Sequence, residues 1–224
     1  MSAVEYEVRD RIGYARLNRP RALNAIDEEV LAALAGLVET VAGDEDVKAF
    51  VLTGTGDAFC VGLDLGLLER AFADTAYFRD VLVRLKDLLL GLEALPMPVV
   101  AAVNGTTRAG GFEIMLACDL VLVADEARIG DTHLAYGIVP GGGATQRLPR
   151  LVGMQRARDL IYTGRWIDGC EAVEAGLALR SVPSAGLDTA VEELVGVFRN
   201  RSRAALAATK TAMRQGVTPA LEAG

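Results

Sequence analysis

Glu113 stands in the first helical turn that Gly110-Gly111 would open, and His133 follows twenty positions later. A glycine pair at the start of an apolar helix leaves main-chain N–H groups unspent and unshielded, at the positive end of the helix dipole. Such donors stabilise an oxygen that gathers negative charge, and a carboxylate in the same turn could move a proton beside it. Gly62, in Ala58-Phe-Cys-Val-Gly-Leu-Asp64, is a second point where the backbone could approach a ligand closely. Each feature also has a plainer reading. A glutamate in a first turn complements the dipole, Asp64 reads as a helix cap, and His133 as a hydrogen-bonded turn residue.

Composition removes several other chemistries. A single histidine and three cysteines, Cys60, Cys118 and Cys170, without a CxxC pair, provide no metal site and no disulfide framework, and point to a reducing compartment. The net charge of −7 and a pI near 4.9 argue against nucleic acid or an anionic membrane as partner. Lys48, Lys86 and Lys210 are the only lysines, so nearly every cation is an arginine. The charged amino terminus lacks the apolar core of a signal peptide, and no apolar run approaches the ~20 residues of a membrane span. A cytoplasmic protein is expected. Pro140-Gly-Gly-Gly143 has no lysine after it and does not match a P-loop, and no GxGxxG follows a strand.

The elements that must position these residues follow from periodicity. Val4–Val8 and Ile12–Leu17 alternate as a hairpin around Asp10-Arg11. Asp27-Glu28-Glu29 opens a helix with Val30, Leu31, Leu34, Leu37, Val38 and Val41 on one face, ending at Gly43-Asp44. Buried strands are expected at 47–53, 98–103 and 119–124, with one helical stretch from Leu65 to Leu95 that Pro96 and Pro98 stop. Helices follow at 153–162 and 168–175, a last strand at 179–182, and two closing amphipathic helices at 187–198 and 202–214. Strand and helix alternate, so the class is α/β, and 224 residues suit one domain with an ample core. The expected division is a core over 1–185 and a helical segment over 186–224. The apolar faces of the closing helices, with Val191, Leu194, Val195 and Leu206, would need cover from other copies.

Three segments in order, 58–64, Asn104-Gly-Thr-Thr-Arg-Ala-Gly-Gly-Phe-Glu113 and Gly137-Ile-Val-Pro-Gly-Gly-Gly-Ala-Thr-Gln-Arg-Leu148, resemble the crotonase superfamily, typified by enoyl-CoA hydratase. The resemblance runs from about Val4 to Arg214. It implies a spiral of ββα turns, assembly as a homotrimer or dimer of trimers, and action on acyl-CoA thioesters, with coenzyme A entering as part of the substrate and no separate cofactor. Carried over by position, it places the two oxyanion-hole N–H groups on Leu63 and Gly110 and the first catalytic glutamate on Glu113. His133 occupies the position of the family's second glutamate, which is the main departure. Coenzyme A would lie along Arg21, Ala22 and Leu23 and across Cys60 and Gly62, with Arg19 and Arg21 toward its phosphates. The acyl pocket would be lined from within 65–95. The family generally continues beyond the point where this sequence stops.

The resemblance implies a lyase adding water to a 2-enoyl-CoA. Rival readings are a double-bond isomerase, decarboxylase or thioester hydrolase that uses Glu113 alone, and a non-catalytic subunit that binds acyl-CoA.

Overall fold

The computed structural model describes residues 2–217. β1 (Val4–Arg9) and β2 (Ile12–Leu17) form the antiparallel hairpin, with Asp10 and Arg11 both at positive φ in its two-residue turn. α1 (Glu28–Gly43) starts where Asp27 accepts a hydrogen bond from Val30 N at 2.9 Å, and it buries Val30, Leu31, Leu34, Val38 and Val41. Leu37 is only half-buried. β3 (Ala49–Gly54) leads into the short β4 (Ala58–Cys60).

The stretch from Leu65 to Leu95 is two helices rather than one, α2 (Leu65–Ala73) and α3 (Thr75–Ala94). Asp74 makes the break: its backbone is extended, and its side chain accepts from Ala76 N and Tyr77 N, capping α3. Phe72 and Phe78 meet edge-on across the break, 6.1 Å between centroids. Beyond it, Leu85, Leu88, Leu89 and Leu92 are buried, as their spacing requires.

β5 (Val99–Val103) precedes β6 (Thr106–Arg108), α4 (Gly110–Ala117), β7 (Leu120–Ala124) and β8 (Ile129–Gly130). α5 (Ala144–Thr163) is kinked at Gly153, α6 (Gly169–Glu174) is capped by Asp168, and β9 (Arg180–Val182), α7 (Leu187–Gly196) and α8 (Arg203–Val217) close the chain. Among the described residues the strands form a six-stranded sheet in order β1-β2-β3-β5-β7-β9, parallel from β2 onward, and a three-stranded parallel sheet in order β4-β6-β8. Periodicity did not disclose β6 and β8, because segments of three and two residues are too short to carry it.

The main core lies between the two sheets, α1, α3, α4 and α5, with Phe50, Phe59 and Phe112 fully enclosed. Truncating one of these to alanine would cost about 3–5 kcal/mol. α7 covers the other face of the large sheet, and this corrects one expectation. Val191 and Val195 are buried against Ile12, Val51, Val100 and Leu122 of their own chain, so they need no cover from another copy. Residues 218–224 of the expected carboxyl-terminal segment lie outside the described residues. Among the described residues no helix is long and apolar enough to cross a membrane.

Candidate active site

Two main-chain turns face one another at the ends of β4 and β6. After β4 the chain passes through Gly62, with φ of 88°, to Leu63. Ile26 fixes this turn on both sides, donating to Gly62 O at 2.8 Å and accepting from Asp64 N at 2.9 Å, and Asp64 caps α2 through Gly66 N. After β6, Ala109 adopts φ of 48° and ψ of −122°, and α4 begins at Gly110. A non-glycine residue held there stores about 1–3 kcal/mol of backbone strain. Gly62 has to be glycine, since a β-carbon on it would stand 2.9 Å from Gly110 N. The N–H groups of Leu63 and Gly110 are therefore close neighbours, and no protein acceptor takes either among the described residues. Sequence reasoning singled out both positions, and Asp64 is a helix cap as well.

Glu113 projects from the first turn of α4 and is 1 % exposed. Its Oε1 accepts from Ala144 N at 3.1 Å, so the glycine loop 141–143 is folded over the carboxyl. His133, in a short 3₁₀ turn (His133–Tyr136) after β8, is buried as well, with Nε2 3.8 Å from Glu113 Oε2 and Nδ1 3.1 Å from Asp131 Oδ1. Burial pushes the Glu113 carboxyl above its ordinary range, against the opposing charge of His133 and the Ala144 hydrogen bond. Burial pulls the imidazole down, but the hydrogen bond and charge of Asp131, with the charge of Glu113, outweigh it and leave His133 raised. His133 is a hydrogen-bonded turn residue in backbone and ring alike, and its ring also lies between two carboxyl groups.

Leu63, Gly110, Glu113 and His133 line one cavity of about 260 Å³. Its other walls include Leu65, Leu68, Phe72, Phe78, Leu82 and Leu85 from α2 and α3, with Ile138 and Val139 opposite. The expected 65–95 segment thus supplies one side of an apolar chamber. At its mouth Arg108 Nη1 donates to Tyr136 Oη at 2.6 Å. A larger groove of about 990 Å³ runs between α4, α5 and α8 and is lined by neither Glu113 nor His133.

The remaining predicted positions divide. Gly62 borders the site; Arg21 and Leu23 are exposed on the loop that Ile26 joins to Gly62 and Leu63, and Ala22 is half-buried in a small cluster with Ala25, Ala58 and Val61. Cys60 is different: it is fully enclosed, burial pushes its thiol up to about 12, and its side chain is not presented to a ligand. Arg19 is also occupied, paired with Asp27 at 3.0 Å and Asp64 at 3.2 Å, so it tethers the loop to α1 and α2 instead of facing outward. Sequence reasoning missed Asp131 and Asn24. Asn24 is fully buried at positive φ, and its side chain donates to Thr55 O and Ala58 O while accepting from Arg19 N. A polar residue between Leu23 and Ala25 in a loop gives no sign of this.

The enoyl-CoA hydratase/isomerase family model matches residues 7–224. The chain belongs to this family. The match spans every group of the site, from Gly62 to the loop over Glu113. Among family relatives, the chain is 33% identical to the short-chain-enoyl-CoA hydratase of Clostridium acetobutylicum over 97% of its length and 83% of that protein's. To the crotonyl-CoA hydratase of Syntrophomonas wolfei it is 33% identical over 94% of its length and 81% of the relative's. A crystal structure of enoyl-CoA hydratase from Bacillus anthracis superposes with a TM-score of 0.93 at 34% identity, covering 99% of this chain and 86% of that one.

Proposed function

We propose that this chain adds water across the double bond of a 2-enoyl-CoA thioester, with Leu63 N–H and Gly110 N–H holding the thioester oxygen and Glu113 and His133 moving the protons. The observation that carries the reading is the meeting of Glu113 Oε2 and His133 Nε2 at 3.8 Å, in the cavity the two unspent N–H groups line. Glu113 takes a proton from water, whose oxygen bonds to the β-carbon. The electron pair of the double bond passes to the thioester oxygen as an enolate. Two fixed donors stabilise that oxygen more than the ground-state carbonyl, which lowers the barrier. His133 then delivers a proton to the α-carbon. Glu113 is left protonated and His133 neutral, and their contact lets the proton return, so the site resets.

The apolar chamber suits an uncharged acyl chain, and the exposed loop of Arg21 and Leu23 is offered to the coenzyme A moiety. A cytoplasmic protein without a nucleic-acid or membrane partner is part of the proposal, and the net charge of −7 supports it. It also includes a homotrimer or multiple of one. The groove between α4, α5 and α8, with Leu116, Leu206 and Met213, gives that assembly an apolar surface to cover. A monomer mass by light scattering at micromolar concentration would refute the assembly.

The test of the reaction is loss of the conjugated thioester absorbance of crotonyl-CoA, with the 3-hydroxy product identified by mass. No loss by the pure protein, at full occupancy by the thioester, would refute hydration and leave the isomerase, decarboxylase and non-catalytic readings.

A further inference from the structure

We propose that Asp131 is a positioning residue for the acid–base pair: its carboxylate grips the His133 ring at Nδ1 and keeps the imidazole doubly protonated, with Nε2 turned to Glu113. This rests on His133 being the proton donor of the reaction above. Asp131 is completely buried at the end of β8. Its Oδ1 faces His133 Nδ1 at 3.1 Å and the His133 main-chain N at 3.3 Å, while Oδ2 has no hydrogen-bond partner among the described residues. Its own carbonyl accepts from Ala109 N at 2.9 Å, so the carboxylate is tied to the turn that presents Gly110.

A buried carboxylate with a bare oxygen needs a compensating cation. The charged and titratable groups that face the ring or share its cavity are Asp131, Glu113, Arg108, Tyr136 and Glu69. Arg108 is engaged with the hydroxyl and ring of Tyr136, which leaves the imidazolium as the cation in contact with both buried carboxyl groups. The chemistry requires the same species. A neutral imidazole that spends its single N–H on Asp131 presents a bare Nε2, which can accept a proton but has none to give. With both nitrogens protonated, Nε2 donates to the α-carbon and later recovers a proton from Glu113, while Nδ1–H stays on Asp131 throughout. No proton is transferred to Asp131.

Because the chain contains one histidine, the imidazole ¹⁵N signals of uniformly labelled protein have a single origin, and the ring can be titrated without any assay of turnover. In the wild type the midpoint is expected above ~6.5, the ordinary value for histidine. In Asp131→Asn it should move to lower pH, and Asp131→Glu should recover part of the difference. In parallel, kcat at pH 8 should fall roughly tenfold or more in Asp131→Asn, with KM changed less than about twofold. In a His133→Ala background, Asp131→Asn should cost nothing further. An unmoved midpoint in an Asp131→Asn protein whose amide spectrum is otherwise native would overturn the proposal. Should that variant fail to fold, a wild-type midpoint at or below the ordinary value overturns it alone. A moved midpoint with unchanged turnover would instead refute His133 as donor, while supporting the grip of Asp131 on the ring.

Discussion

A β-carbon on Gly142 would overlap Oε2 of Glu113. The glycine loop is thus the surface against which the Glu113 carboxyl is seated, and the adjoining Ala144 N–H holds its other oxygen. Gly142→Ala is expected to swing the carboxyl away from His133 and lower kcat on the order of 10²-fold, since a displacement of about 1 Å costs that much. Thioester affinity should be nearly kept. A crystal structure of the variant together with kcat and KM on crotonyl-CoA checks both parts.

The pH–rate profile should be a bell displaced upward. In the proposed mechanism Glu113 acts as base only when ionised, so activity should be lost as pH falls through its raised pKa; His133 acts as acid only when protonated, so activity should be lost as pH rises through its own raised pKa. Both limbs are expected above the ~4.3 and ~6.5 of unperturbed groups. His133→Ala should remove the alkaline limb and about 10²-fold of the rate, and Glu113→Gln should abolish turnover. An isomerase or hydrolase working through Glu113 alone would keep its alkaline limb in His133→Ala.

Main-chain donors make an unusual mutational signature. Leu63→Ala leaves the N–H in place and should change kcat little. Gly62→Ala cannot fit beside Gly110 N at a φ of 88° and should shift both donors, at a cost approaching ~3 kcal/mol, about 10²-fold in kcat. Steady-state kinetics on the two variants separate these effects, and equal losses would contradict the assignment.

Glu28 ties α1 to α3. Arg84 grips both its oxygens, at 2.6 and 3.1 Å, and Tyr77 donates a third hydrogen bond; these, Arg84 first, lower the carboxyl to about 2. A depressed carboxylate contributes stability above its unfolded value of ~4.3, and the contribution is lost as pH falls toward 2. Its side chain is 44% exposed, so screening reduces the effect to about 1 kcal/mol. Glu28→Gln should lower the melting temperature by roughly 2–4 °C at pH 7 and by almost nothing near pH 2. Calorimetry at the two pH values decides it.

Legibility in the sequence followed the length of each element and the locality of each interaction. The hairpin, α1 with its Asp27 cap, the strand 99–103 and the glycine turn before Glu113 were legible because the pattern and the residues that end it are adjacent. The break at Asp74 escaped because helical spacing continues on both sides of it, although Asp-Thr is a cap signal. Asp131 escaped for another reason. Its partner His133 is only two residues away, but what makes the pair matter is a carboxyl on α4 that only the fold delivers. Arg19 looks available in the sequence because its acidic partners Asp27 and Asp64 come from different elements.

The small sheet acts as a ruler. Cys60 pairs with Thr107 and Thr107 with Ile129, so these three residues form one row across β4, β6 and β8. Three positions beyond that row lie Leu63, Gly110 and Thr132, and His133 comes next. Each strand leaves the row through a residue at positive φ, at Gly62, Ala109 and Thr132. Neighbouring strands stand ~4.8 Å apart. Strand pairing is common to all sheets, so the pairing of β4 with β6, with the bare Gly62 between them, brings the turns of Leu63 and Gly110 together whatever side chains line the chamber. In the proposed reaction, the residues lining the acyl chamber can therefore vary while the same two main-chain groups face the thioester oxygen.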